Sequence, residues 1–356
     1  MISHAWLTGE GMKIIPMEKH DREILCMAVQ GDNLVTGSSD HALHLYDLKA
    51  NRLRRRLFTP KFGHHEWVTC CDFNCDGQVV SGGMDAKICV WDKSIPKCID
   101  LQGHSTSVSQ IVCDKDTPLC ASASYDKTLK IWNTKSGACL QTFVGHSQPV
   151  NDCVWRRSLL LSTGRDGLLI GWDVNTGTRI NTIRHTSPIA AIHLFADELG
   201  FVATGTQDGT VAVYDLRDFR TAVFTSVLHP NAVCSSVKSF DDREATTIIT
   251  SGSDRRVVVV DSAMGFAPRA ELTGHQAPVH SLCTVPFDRR TQLVVSGADN
   301  GWVLVHNAAT ADGKTNACFG SGIVKSGVRC LEVNDSMTKL CVGGDDLEPV
   351  VLDFSG

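Results

Sequence analysis

The 356-residue sequence predicts an all-β protein assembled from one repeated unit, and three observations predict it. The first is a short run of small residues ending in Asp, followed six residues later by a large residue and often a second Asp. The second is a His upstream of most copies, with a branched apolar residue four positions beyond it. The third lies between these markers. Short runs rich in branched and aromatic residues are punctuated by Gly, Asn, Asp and Ser, and no long stretch has the 3.6-residue periodicity of a helix. A fixed period of this length identifies a repeat architecture before any single strand is assigned.

The Asp run occurs as TGSSDHALHLYD at Asp40, SGGMDAKICVWD at Asp85 and SASYDKTLKIWN at Asp126. It recurs as STGRDGLLIGWD at Asp166 and TGTQDGTVAVYD at Asp208. Weaker copies are TSGSDRRVVVVD at Asp254, SGADNGWVLVHN at Asn300 and VGGDDLEPVVLD at Asp346. The anchors are separated by 45, 41, 40, 42, 46, 46 and 46 residues. The His marker follows Gly at His64, His104, His146 and His275, and His20, His185 and His229 stand in register. The apolar anchors beyond it are Ile24, Val68, Val108, Val150, Ile189, Val233 and Val279, with Val328 in the eighth copy. Regular spacing of short strands and turns reads as an all-β repeat.

Composition narrows the function classes. With 34 Lys+Arg against 39 Asp+Glu the net charge is -5, which argues against a dedicated nucleic-acid binder. No apolar run approaches the roughly 18 residues of a membrane span. The N-terminus has no basic segment followed by an apolar one, so no secretion signal is expected. Fifteen cysteines are scattered, odd in number, and include no Cys-x-x-Cys pair. They read as reduced core thiols of an intracellular protein, and no metal site is expected. A Gly-rich phosphate loop, a His-Glu-x-x-His run and an acidic calcium loop are all missing, so no cofactor is expected.

The Gly-His pairs, together with Trp91-Asp92, Trp172-Asp173 and the variant Trp132-Asn133, make the chain resemble the WD-repeat β-propeller family over about residues 12–353. The resemblance implies blades of four antiparallel strands around a central channel. Eight anchors imply eight blades, with seven blades plus an irregular C-terminal segment as the alternative. The whole chain, 1–356, is then a single propeller domain. The run at residues 12–17 is expected to complete the C-terminal blade and so hide an open sheet edge. Pro16 suits an outer strand and would not suit a central one.

The resemblance also implies a buried hydrogen-bonded tetrad per blade: His104, Ser122 (or Ser124), Asp126 and Trp132, with matching sets His64, Ser81, Asp85, Trp91 and His146, Ser162, Asp166, Trp172. A hydrolase would need such a Ser-His-Asp group once, whereas here it repeats, so a structural role is expected and no catalytic residue is assigned. Val260 and Leu352 lack the polar tip and His306 replaces it, so blades 6–8 are expected to rest on apolar packing and to be the less rigid arc.

Two positions per blade face a partner in this family: the residue before the turn Asp and the residue after the apolar anchor. These give a candidate face of Met84, Tyr125, Asn151, Arg165, His280, Asp299, Arg329 and Asp345, with Trp67 in an entering loop. An aromatic and Met patch opposite an acidic arc suits a basic or amphipathic peptide, because Trp, Tyr and Arg are enriched at hot spots. A second candidate is the rim run Arg52, Arg54, Arg55 and Arg56, which reads either as an acidic-partner or RNA patch or as a protected edge strand. The expected function is a non-catalytic protein-interaction scaffold or adaptor in the cytoplasm, with a nuclear pool, working in a multiprotein complex without membrane or small-molecule substrate. The alternatives are an RNA-associated subunit and a cullin ubiquitin-ligase substrate receptor. The latter rests on Tyr214-Asp215-Leu216-Arg217, which resembles that group's Trp-Asp-x-Arg box with Tyr in place of Trp.

Overall fold

In the computed structural model, which describes residues 2–59, 61–195, 200–241, 246–288 and 291–355, the strands form eight sheets. The eighth consists of Val328–Val333, Lys339–Gly344 and Val350–Asp353, with Lys13–Pro16 as its outer strand, so the count is eight and not seven. Pro16 lies opposite Val350 on that outer strand, where a missing N–H is tolerated.

Blade 3 shows why these residues form these elements. Its strands are Val108–Cys113, Leu119–Ser124, Thr128–Asn133 and Cys139–Val144. The second strand, LCASAS, is buried almost throughout, and its small side chains fit between neighbouring layers. The outer strand is largely exposed. In the inner strand Val108 pairs with Ser124 but Gln110 pairs with Ala123, so Ser109 sits in a bulge. The same bulge follows Ile24, Val68, Val150, Cys234, Val279 and Val328. A bulged residue leaves the ladder and its side chain is re-aimed. In blade 6 the residue in the anchor place is Cys234, not the expected Val233, because the loop after His229 is one residue longer.

Neighbouring blades share their cores. Val35, Leu43 and Leu57 of blade 1 pack with Val68, Phe73 and Trp91 of blade 2, as stacked repeats do. The chain divides into two compact units: residues 17–189 with 347–349, and residues 1–16, 190–346 and 350–356. The first holds blades 1–4 and the second holds blades 5–8.

Two features of the second unit were not foreseen. Blade 6 has a fifth strand: Gly313–Asn316 runs parallel to its outer strand Ala267–Thr273, and blade 7 then ends with Phe319–Gly322. The N-terminus forms a short helix, Ile2–Thr8. It places a fully buried Trp6 against Phe354, with centroids 3.8 Å apart, and the Trp6 indole N–H donates to the Met337 carbonyl at 2.9 Å.

Candidate interaction face

The buried tetrads hold the loops that form the face. In blade 3, Trp132 Nε1–H donates to Ser122 Oγ at 2.8 Å. Ser122 Oγ lies 2.7 Å from His104 Nε2, and His104 Nδ1 lies 2.7 Å from Asp126 Oδ2. Asp126 also accepts from the Ser105 N–H, which ties the loop before the inner strand to the turn after the second. Ser122 is the member; Ser124 instead donates to the Thr106 and Ser107 carbonyls. Burial alone would raise the Asp126 carboxyl, but hydrogen bonds from His104 and Thr128 outweigh it and hold it well below the usual range.

Blades 2 and 4 repeat the arrangement with His64, Ser81, Asp85, Trp91 and with His146, Ser162, Asp166, Trp172. The tetrad presses so closely on Gly83 that a Cβ there would lie 2.5 Å from His64 Nδ1 and 2.7 Å from Asp85 Oδ1. Each Ser hydroxyl is fully buried between a Trp donor and a His, so a substrate has no approach to it. Such fully connected networks fix a unique packing.

Away from blades 2–4 the network changes form. In blade 1 His20 bonds Asp40 and Thr36, while the Tyr46 hydroxyl donates to the Glu18 carbonyl. Blade 6 keeps more than its sequence implied: His229 still bridges Asp254 and Thr250, although Val260 stands in the Trp position. In blade 7 His275 reaches Ser296 at 2.7 Å, and His306 reaches the Thr273 carbonyl at 3.0 Å. Among the described residues, the Nδ1 atoms of both rings lack a partner. Asn300 accepts from the Trp302 N–H.

On the face, the residue before the turn Asp is pinned by its own backbone in blades 1–4. Met84, Tyr125 and Arg165 donate their N–H groups to the carbonyls of Trp67, Ser107 and Pro149, each the residue before the apolar anchor. Ser39 does the same to Glu23. Turn residue and loop residue therefore lie side by side, which sets Met84 next to Trp67. Trp67 is 43% exposed, Met84 44% and Tyr125 37%, high values for large apolar side chains in a well-packed blade. Arg165 lies over the Tyr125 ring, 4.9 Å from its centroid, and donates to the Tyr125 hydroxyl at 3.2 Å. Blade 1 contributes Glu23, exposed and accepting from Ser39 Oγ at 2.7 Å.

The residue after the anchor is used differently. The bulge turns Thr69, Ser109 and Asn151 toward the next inner strand, where they donate to the Val108, Val150 and Ile189 carbonyls. Asn151 is thus an inter-strand staple. In blades 7 and 8 the same position carries His280 and Arg329. His280 lies 3.0 Å from Asp299, and Arg329 bonds both Asp345 oxygens at 2.9 and 3.1 Å while reaching Asp299 at 3.2 Å. Asp299 and Asp345 are therefore both engaged by Arg329, and Asp299 by His280 as well, and do not form an open acidic arc.

The rim arginines lie on the outer strand Arg52–Leu57. Arg54 donates to Asn33 Oδ1, Arg55 to the Asp92 and Lys93 carbonyls, and Arg56 pairs with Glu18. Arg55 is thereby a fixed link to blade 2, while Arg52, Arg54 and Arg56 remain exposed. Arg217 of the Tyr-Asp-x-Arg run folds back onto its own Asp215, to 2.6 Å. Two groups escaped the sequence reading. Trp302, 46% exposed, follows Asn300-Gly301 where other repeats carry Ala42, Lys87, Thr128 or Leu168; an aromatic side chain at a position that the other repeats leave non-aromatic was the available signal. The other group is Cys89, Cys98 and Asp100, whose ligand atoms all lie within 4.8 Å of one another. Among the described residues no helix is long and apolar enough to cross a membrane.

The family model "WD domain, G-beta repeat" matches residues 55–92, 96–133, 137–173, 177–215 and 266–307. Among curated proteins the chain is 25% identical to a ribosome biogenesis protein WDR12 homolog of Nematostella vectensis, over 80% of this chain and 76% of that one. It is 24% identical to a p21-activated protein kinase-interacting protein 1-like protein of Danio rerio, over 66% of this chain and 62% of that one. Among solved structures, the crystal structure of the computationally designed Ika8 protein aligns with a TM-score of 0.81 at 24% identity, covering 96% of this chain and all of that one, a likeness of fold alone. With the repeat matched over more than half its length and eight blades in place, the chain belongs to the WD-repeat β-propeller family.

Proposed function

We propose that the chain is a non-catalytic interaction scaffold that captures a partner segment on the loops of blades 1–4. The observation that carries this reading is the pairing of exposed Trp67 with Met84, continued by Tyr125 under Arg165. Rigid aromatic anchors set on pinned backbone lose little entropy on binding, and such residues dominate interface energies. Glu23 at one end and Arg165 at the other give the site a direction. An amphipathic segment fits it with an apolar side chain against Trp67, a basic group toward Glu23 and an acidic group toward Arg165. Trp67→Ala and Tyr125→Ala should each weaken capture by about 2 kcal/mol, roughly thirtyfold, with the melting temperature little changed. Quantitative affinity purification of the full chain tests this. The partner set lost by these two variants should be retained by Arg54→Glu.

A second reading is an RNA-associated subunit in the nucleus. It is favoured by relatives named for ribosome biogenesis and by the exposed Arg52, Arg54, Arg56, Lys49 and Lys61. If Arg54→Glu alone loses RNA or partners, the rim is the working surface and this reading replaces the first.

A further inference from the structure

Cys89 and Cys98 face each other across the third and outer strands of blade 2, Ile88–Trp91 and Cys98–Leu101, and both are buried. Cys89 pairs in register with Asp100, and Trp91 with Cys98. That register turns the Asp100 carboxylate back over the two thiols. Asp100 Oδ1 accepts from Cys98 Sγ at 3.2 Å and from Cys89 Sγ at 3.6 Å. The other oxygen, Oδ2, lies 3.5 Å from Lys87 Nζ. The cluster takes no part in the tetrads or the partner face.

The distances match a metal polyhedron. A tetrahedral zinc ion with Zn–S of about 2.3 Å and Zn–O of about 2.0 Å spans S···O edges of about 3.5 Å. The observed edges bracket that value. An S···S edge of about 3.8 Å also falls inside the 4.8 Å within which all three atoms lie. We propose that Cys89, Cys98 and Asp100 form a site for one thiophilic divalent cation of the zinc class, with water as fourth ligand. The Asp100 side chain is 33% exposed and leaves that position open to solvent. On binding, both thiols release their protons to water. Two thiolates and one carboxylate then face the dication, and the Lys87 ammonium makes the cluster neutral while orienting the carboxylate from outside.

The test is a cobalt(II) titration of the reduced, metal-free full-length protein, with zinc as competitor. A saturable thiolate-to-cobalt charge-transfer band with tetrahedral visible bands is expected at one equivalent, abolished by zinc. Cys89→Ser and Cys98→Ser should lose that band, and Asp100→Asn should weaken binding at least about tenfold. Cys139→Ser, at an exposed cysteine, should change nothing. The proposal is overturned if the wild type shows no saturable band, or if the band survives in the Cys89→Ser/Cys98→Ser double variant. Should the serine variants not fold, Asp100→Asn decides alone: cobalt affinity equal to wild type overturns the site.

Discussion

Blade 3 and blade 7 carry the same loop histidine under the same fold, yet surround it differently. His104 has Asp126 on one ring nitrogen and Ser122 on the other, and Trp132 closes the chain. His275 has Ser296 on one side only, and a second imidazole, His306, occupies the Trp position. The contrast extends to the face. In blades 2–4 the bulged residue is a neutral donor stapling the next strand, whereas in blades 7 and 8 it is His280 or Arg329, hydrogen-bonded to the aspartates of the face. One backbone thus supports two solutions. Where the tetrad is complete, the anchoring is internal and the face is left with exposed aromatic side chains. Where it is incomplete, charges on the face pair with each other, and the blade gains covers from elsewhere in the chain: a fifth strand on blade 6 and the N-terminal helix around Trp6.

The largest effects should come from the large aromatic side chains on each side of this contrast. Trp132→Ala should cost about 3–5 kcal/mol, and so should Trp6→Ala, since both are buried among rigid neighbours. Urea unfolding measures both. A Trp6→Ala cost under about 1 kcal/mol would mean that the second unit does not depend on its helix. Next in size is the turn residue. Asp126→Ala should cost about 1–3 kcal/mol by leaving buried donors unpaired. Asn300→Ala should stay within about 0.5 kcal/mol, because Asn300 is exposed and does not complete a tetrad. Equal costs at the two sites would erase the distinction between the blades.

Smaller still is the staple. Ser109→Ala removes a half-buried hydrogen bond to the Val150 carbonyl and should cost about 1 kcal/mol. Arg329→Ala breaks ion pairs that are more than a third exposed and should cost no more than about 1 kcal/mol, less in high salt. A salt-insensitive loss at Arg329 would show that the clamp is structural in the same sense as the staples.

Acid should separate the blades most gently. Burial and the neighbouring His306 push His275 down to about 4 from its ordinary 6.5. The unfolded chain binds the extra proton between those values, so stability is complete above pH 6.5 and is lost as pH falls toward 4. Asp126 is held below its ordinary 3.8, so its contribution is present above that value and is lost only as pH falls below it. Amide protection factors, corrected for the intrinsic pH dependence of exchange, should therefore fall in residues 293–307 between pH 7 and 5 while those of residues 119–133 hold. The reverse order would contradict the contrast between the two histidines.

Much of this could be read in advance. Period, strand type, eight copies and the members of three tetrads follow from residues that recur at fixed offsets, because every blade meets the same packing constraint. Trp67, Met84 and Tyr125 were identifiable as large side chains at positions that other blades fill with smaller ones. The hydrogen bond from Asn151 to the Ile189 carbonyl was not legible because it depends on a bulge, a backbone event that leaves no mark on residue type. The pairing of Asp299 and Asp345 with Arg329 was not legible because a charge in a sequence carries no record of its counter-ion.

By itself the sequence determined the repeat, the strand order within each blade and the histidine–aspartate anchors, since these depend on offsets within some 45 residues. Only the tertiary structure decided that Gly313–Asn316 leaves its own blade to pair with blade 6, that Trp6 is stacked on Phe354, and that Cys89, Cys98 and Asp100 converge. The physical reason is register. A strand's sequence dictates which side chains alternate, but which of them meet across a ladder, or across hundreds of residues, is set by pairing and packing that no local pattern encodes.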